Sequence, residues 1–317
     1  MPEKRNSMKI LVVGAGAMGS LFAGRLKSQT SEVFLYNREN PHVEKINQCG
    51  LTIIEQDNKK TVIPLTVVQE ISKDYDLVLV MLKTHATKTV LTQLKDSFSS
   101  QTLFVTMQNG LGNLEILAEI FPNNPLVAGT MGSGASVESD GRILHRGFGT
   151  NFIGQPTDKR AQEKLADFVE LLNHSGLATE LADDVQAVIW NKLFVNLAYN
   201  SLTALTRLRN GDILNTIDGQ NLLRSIITEA IEIAEAEGVH VDLEKIIAKC
   251  IKMGQEQFPA NKSSMLMDIL HKRKTEIDAI NGAVANLGKK HGILTPYNDM
   301  ITGIIKVIEA NYSKQVD

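Results

Sequence analysis

The stretch Ile10-Leu11-Val12-Val13-Gly14-Ala15-Gly16-Ala17-Met18-Gly19 decides the fold of this chain. It reads as a buried parallel strand that turns abruptly into a helix through Gly-x-Gly-x-x-Gly. In such a turn the first glycine makes the tight bend and the second lets backbone N–H groups approach a pyrophosphate. The third allows the helix to pack closely on the strand, and the helix N-terminus then holds the anion. The bare motif is weak evidence. Here an apolar strand precedes it, a helical pattern of Leu21, Phe22 and Leu26 comes after it, and a second strand, Glu32-Val33-Phe34-Leu35-Tyr36, arrives where a βαβ unit needs one. Gly14, Ala15, Gly16, Ala17, Met18 and Gly19 are therefore the expected dinucleotide-binding residues.

The residues just past the second strand select the cofactor. NAD sites place Asp or Glu at this point to hold the ribose 2′-hydroxyl, whereas an Arg accommodates the 2′-phosphate of NADP. The strand ends Tyr36-Asn37-Arg38, with Glu39 one position later. Arg38 can meet a phosphate through a bidentate, charge-assisted contact, so NADPH is the expected cofactor. The alternative use of Arg38 is an ordinary solvated charge.

At 317 residues the chain exceeds the size at which a single core stops growing, and two domains are expected. Its formal net charge of −3 supplies no basic field for nucleic acid. Cys49 and Cys250 lie far apart and outside any Cys-x-x-Cys pattern; reduced thiols are the economical reading, a distant disulfide the alternative. The first seven residues are polar and charged, the apolar run after them is too short for a signal-peptide core, and no stretch approaches a membrane span. A cytoplasmic protein is expected. The seven histidines are scattered without ligand spacing, so no metal is expected.

Up to about residue 181 strands alternate with helices: 77–81, a helix from His85, 103–106, a helix from Asn113 to Ile120, a helix from Lys159 to Ser175 and a strand around 177–180. This is the rhythm of a doubly wound parallel sheet. The glycine-rich stretch 125–154 predicts antiparallel hairpins at the sheet edge. From about Asp183 the apolar spacing becomes helical, as in Leu222, Ile226, Ile227, Ala230 and Ile233, with a stop at Gly238. The expected organisation is a nucleotide-binding domain over 1–181 and an all-helical substrate domain over 182–317, with the dinucleotide site opening into the cleft between them. An apolar face of the helical half serves either as core or as the surface of a homodimer.

Within that half, Lys192, Asn196 and Asn200 recur at i, i+4 and i+8, which places them on one slowly twisting stripe of a helix. Leu193, Val195, Leu197 and Ala198 indicate that much of this helix is buried, so the polar stripe needs partners, which a polar ligand supplies. Lys192 alone would read as a snorkelling lysine. A second cluster is Asn261-Lys262-Ser263-Ser264-Met265-Leu266, with Glu276 twelve residues after Ser264. Either serine could simply be a helix N-cap. On one straight helix Ser264 and Glu276 would stand ~18 Å apart, so they serve different ends of a site or the helix breaks between them.

These residues resemble the ketopantoate reductases. The resemblance runs from Met8 through the glycine motif, Leu82-Lys83, Gln108-Asn109-Gly110-Leu111-Gly112, the Lys192/Asn196/Asn200 helix, Ser263-Ser264-Met265-Leu266 and Thr275-Glu276-Ile277-Asp278. It implies a Rossmann-type domain followed by a helical domain like the C-terminal domain of 6-phosphogluconate dehydrogenase. It further implies Lys192 as the catalytic lysine, Asn196 and Asn200 as ligands of the substrate's hydroxyl and carbonyl end, and Ser264 as a carboxylate ligand. Asn109 resembles a bridge between nicotinamide and substrate; Lys83 and Glu276 resemble cofactor-side residues. Asn210 matches a substrate-side position, although the preceding Arg207-Leu208-Arg209 departs from the family pattern. The implied reaction is NADPH-dependent reduction of 2-dehydropantoate to pantoate. The rivals are a reductase of the same architecture for another 2-keto or 3-hydroxy acid, and a non-catalytic nucleotide sensor.

Overall fold

The computed structural model describes residues 8–30, 32–156 and 158–315. The chain divides into two units: residues 1–108 with 113–185, and residues 109–112 with 186–317.

The first unit is built on an eight-stranded sheet. Its centre is β1 (Ile10–Val13), in parallel register with β2 (Val33–Tyr36) on one side, which comes after α1 (Ala17–Lys27). After α2 (Pro41–Cys49) come β3 (Leu51–Ile54) and β4 (Lys60–Ile63), then the short edge strand β5 (Val67–Val68) beside β2. On the other side β1 pairs in parallel with β6 (Leu77–Val80), and β6 with β7 (Leu103–Thr106), the two joined by α3 (Thr84–Leu94). Beyond α4 (Asn113–Ile120), β8 (Leu126–Thr130) extends the parallel set. The hairpin β9 (Ser133–Ser139) and β10 (Arg142–Phe148) precedes β11 (Asn151–Gly154), which runs antiparallel to β8. After α5 (Lys159–His174), β12 (Thr179–Ala182) closes the sheet.

Side-chain alternation along β1 explains the layering. Ile10 and Val12 pack with Leu21, Phe22, Leu165 and Phe168, whereas Leu11 and Val13 pack with Val78, Val80, Phe104 and Leu117. Every residue of β1 is fully buried, as expected of a parallel strand covered by helices on both faces. The predicted doubly wound architecture is present, with two differences. The hairpin of the glycine-rich stretch belongs to a separate four-stranded sheet, β4-β3-β10-β9, and the predicted strand at 177–180 lies at Thr179–Ala182.

The second unit is helical throughout its described residues. It comprises α6 (Val185–Thr206), α7 (Asn210–Ile213), α8 (Ile217–Ala236), α9 (Leu243–Lys252), α10 (Ser264–Leu270), α11 (Asn281–His291) and α12 (Pro296–Ala310). Trp190, Leu193, Phe194 and Leu197 of α6 share a core with Ile226, Ile227 and Ala230 of α8 and with Ile301 and Ile305 of α12. Glu229, buried on α8, accepts hydrogen bonds from the Tyr297 and Asn298 backbone N–H groups at 2.8 and 3.0 Å. A carboxylate so placed satisfies and neutralises the N-terminus of α12. No helix among the described residues is long and apolar enough to cross a membrane, and both cysteines are free thiols.

Candidate active site

In the first unit, the glycine motif forms an anion cradle at the start of α1. Gly14 has φ +114°, and a Cβ there would lie 2.8 Å from the Met81 carbonyl oxygen. A Cβ on Gly19 would lie 1.8 Å from the Gly14 carbonyl oxygen, so the helix can approach the strand only because residue 19 has no side chain. Gly16 differs: nothing stands within 4 Å of a Cβ placed there. Its bareness leaves open space rather than relieving a clash. Gly16 is also the N-cap of α1, with no side-chain capping bond and no acidic residue in the first turn. The first intrahelical acceptor bond, Ser20 N–H to the Gly16 carbonyl at 2.9 Å, leaves the N–H groups of the first turn for an anion. These features fit a dinucleotide pyrophosphate.

Asn37, at the tip of β2, holds this loop in place. Its Oδ1 accepts from the Ala15 N–H at 3.2 Å, and its Nδ2 donates to the Arg38 carbonyl at 2.8 Å. Arg38 beside it is exposed. Sequence reasoning passed over Asn37; the signal was an amide standing where NAD sites carry a carboxylate. Lys83 is the N-cap residue of α3. Its loop is tied down by Gln108, whose Nε2 donates at 2.7 Å both to the Leu82 carbonyl and to the Thr87 hydroxyl.

In the second unit, α6 carries Lys192, Asn196 and Asn200 on one stripe, ~12 Å from first to last along the axis. The Nδ2 atoms of Asn196 and Asn200 are buried without a hydrogen-bond partner. An unsatisfied buried donor costs about 1–3 kcal/mol, and two on one stripe mark a place prepared for an acceptor. Desolvation pulls the Lys192 ammonium down to about 8 from its ordinary 10.5, opposed by the field of the Glu276 carboxylate. Glu276 is itself buried, and its Oε2 accepts from the Asn109 Nδ2 at 3.3 Å. The 109–112 segment is seated on the 276–280 turn: Leu111 N–H donates to the Ala279 carbonyl at 2.9 Å, and Gly110 (φ +82°) lies so close that a Cβ would sit 2.2 Å from that same oxygen. Residues 109, 192 and 276, remote in sequence, thus share one electrostatic neighbourhood.

Of the two serines, it is Ser263 that caps the helix. Ser263 is the N-cap of α10, its hydroxyl accepting from the Leu266 N–H at 3.1 Å. Ser264 is the first residue of the helix and is exposed. The helix ends at Leu270, so Ser264 and Glu276 do not share an axis. Asn210 starts α7, its N–H donates to the Asn261 carbonyl at 3.0 Å, and its buried Oδ1 has no partner. It is thereby joined to the segment leading into Ser263. Among the described residues no group of His, Cys, Asp and Glu could hold a metal ion.

Comparison with known proteins covers most of the chain. Residues 10–158 match the profile described as ketopantoate reductase PanE/ApbA, and residues 184–309 match its C-terminal counterpart. A 2-dehydropantoate 2-reductase of Vibrio cholerae serotype O1 is 30% identical over 310 residues, covering 97% of this chain and 100% of that protein. The one from Pyrococcus horikoshii is 31% identical over 303 residues, covering 96% and 98%. Among solved structures, a D-mandelate dehydrogenase with NADH and anilino(oxo)acetate superposes with a TM-score of 0.89 at 27% identity, covering 96% of this chain and 99% of that one. A ketopantoate reductase from Ralstonia eutropha gives 0.87 at 27% identity over 96% and 99%. With its nucleotide cradle and its lysine-asparagine stripe, this chain belongs to the ketopantoate reductase family of nicotinamide-dependent oxidoreductases.

Proposed function

We propose that this protein reduces 2-dehydropantoate to pantoate with NADPH, as a cytoplasmic step toward pantothenate. The observation that carries the reading is the α6 stripe: an ammonium beside two buried amide donors without partners. A ketoacid brings the acceptor oxygens that such a stripe lacks.

Gly14 to Gly19 hold the pyrophosphate, Arg38 the 2′-phosphate, and Lys83 and Glu276 the remaining cofactor side. When bound, NADPH supplies the hydride that converts the ketone carbon to a carbinol. Lys192, as an ammonium ion, stabilises the negative charge gathering on the ketone oxygen and donates the proton that completes the hydroxyl. Its lowered pKa makes it a better acid than an exposed lysine while leaving it protonated at neutral pH. Asn196 and Asn200 donate to the oxygens of the reacting end, and Asn109 orients the substrate against the nicotinamide. Ser264, exposed at the N-terminus of α10, takes the carboxylate, with Asn210 on the same substrate side.

A second reading is favoured by the D-mandelate dehydrogenase likeness: the same chemistry on a different 2-keto acid with NADH. Ketoacid-dependent oxidation of NADPH and NADH, monitored at the nicotinamide absorbance with 2-dehydropantoate and with benzoylformate, tests both. Preference for 2-dehydropantoate with NADPH supports the first reading. Preference for benzoylformate with NADH replaces it with the second, and no oxidation with any ketoacid ends both.

A further inference from the structure

α12 grips the segment that carries Glu276 on either side of that residue. On one side the Glu309 carboxylate, in the last turn of α12, accepts a hydrogen bond from the Thr275 N–H at 2.6 Å. On the other, the Asn298 Oδ1, near the start of the same helix, accepts from the Asn281 Nδ2 at 3.0 Å. Asn281 and Asn298 are both wholly buried, and the direction of their bond is dictated from α8. The Asn298 Nδ2 donates to the Glu229 Oε2 at 2.7 Å; a carboxylate can only accept, so the Asn298 amide must turn its oxygen toward Asn281. Between these two grips Lys306 pairs with Asp278 at 2.5 Å, but both side chains are about half exposed, and such a pair adds little.

Glu309 answers to no need of its own helix. A carboxylate in the last turn opposes the helix dipole, and α12 has no basic residue there to offset it. Its reach is what brings an acceptor to Thr275, which is almost wholly buried and whose hydroxyl accepts the Ile277 N–H at 3.1 Å. Glu276 stands between these held residues, its Oε2 accepting from Asn109 and its charge opposing the desolvation of Lys192. We propose, on the reading of Glu276 as a cofactor-side group and Lys192 as the proton donor, that Glu309 is a positioning residue: by fixing Thr275 it sets where the Glu276 carboxylate stands against Asn109 and Lys192. Glu229, Asn298 and Asn281 fix the far end of the same segment. When the Glu309 acceptor is lost, the segment slackens at Thr275 and Glu276 withdraws from Lys192. The ammonium then loses the charge that offsets its desolvation, and Glu276 holds the cofactor less well.

Steady-state kinetics with NADPH and 2-dehydropantoate across pH, together with thermal melting, tests this. Glu309→Ala is expected to lower kcat/KM for NADPH by about tenfold or more, the scale of a small misplacement passed to the site from outside it. It should also move the alkaline limb of kcat to lower pH, while melting near the parent temperature because Glu309 is only half-buried. Glu309→Gln keeps an oxygen for Thr275 and should restore both quantities. Glu309→Asp, whose acceptor is one methylene short, should fall between the two, and it takes the place of Glu309→Ala if that variant does not fold. In a Glu276→Gln background the Glu309 substitution should change neither quantity further, because its effect passes through that carboxylate. Parent-like kinetics in Glu309→Ala, an alkaline limb that stays in place, or losses that persist undiminished in the Glu276→Gln background overturn the proposal. Parent-like kinetics in Glu276→Gln alone overturn it together with the reading of Glu276.

Discussion

The Ser263 hydroxyl lies 2.6 Å from the Thr203 hydroxyl, and their other contacts fix the direction of that bond. Thr203 donates to the Tyr199 carbonyl at 2.7 Å, so its oxygen is left to accept and Ser263 must be the donor. The Ser263 oxygen meanwhile accepts the Leu266 N–H. One buried hydroxyl therefore caps α10 and fastens it to α6, holding Ser264 in a set relation to Asn200.

The two neighbouring serines should accordingly fail in different ways. Ser263→Ala is expected to lower the stability of the fold by about 0.5–2 kcal/mol, the cost of a lost N-cap. Ser264→Ala should leave the melting temperature unchanged and raise the KM for the ketoacid, with NADPH affinity unaltered. Chemical denaturation and steady-state kinetics on both variants check this. Unchanged ketoacid binding in Ser264→Ala sends the search for the carboxylate ligand elsewhere in the helical unit.

Lys192 acts in its protonated form, so turnover should fall as pH rises through about 8. Folding stability moves the other way. The folded pKa is lower than the ordinary 10.5, so between about 8 and 10.5 the unfolded chain binds the extra proton and stability rises with pH. In Lys192→Met both dependences should vanish, with turnover down by more than tenfold, about 1.4 kcal/mol of barrier, and NADPH binding preserved. A pH–rate profile paired with pH-dependent denaturation makes the measurement. Retention of turnover within tenfold assigns the proton to another residue.

Arg38→Ala should raise the KM for NADPH far more than that for NADH, by about 1.5–3 kcal/mol for a charged hydrogen bond. Equal losses for the two cofactors would show that Arg38 is an ordinary surface charge.

Asn37→Asp probes the same strand tip from the opposite direction. It keeps the oxygen that accepts the Ala15 N–H while adding a carboxylate where NAD sites carry one. The ratio of kcat/KM for NADPH to that for NADH should fall at least tenfold with the fold intact. An unchanged ratio places the 2′-phosphate away from this tip.

The elements read correctly from sequence are those whose burial is local and two-sided. β1 is an unbroken apolar run because helices cover both its faces, and α6 announces itself through polar residues at a four-residue repeat inside an apolar stretch. β3 and β4 gave no such sign. β4 exposes Lys60, Thr61 and Val62, and the turn before it puts Asn58, not a glycine, at φ +64°. The sheet they form is completed by β10, paired with β3 from a distant part of the chain, a relation that no local pattern encodes. Of the candidate site, the α6 stripe was legible as a group, whereas the contacts made across the chain were not. Which serine is the cap depends on where α10 begins, and the Asn109–Glu276 contact depends on how 109–112 seats on a turn far along the chain.

The three glycines of the first loop answer to different masters. Gly14 and Gly19 are held by the chain's own backbone, which has no room for a side chain at either place. Gly16 faces open space, so nothing in the chain's own backbone keeps it bare. In a lineage that abandoned the dinucleotide, drift would therefore reach position 16 first and leave 14 and 19 untouched. A side chain at position 16 is therefore compatible with this fold, and its cost would fall on the dinucleotide proposed to lie there.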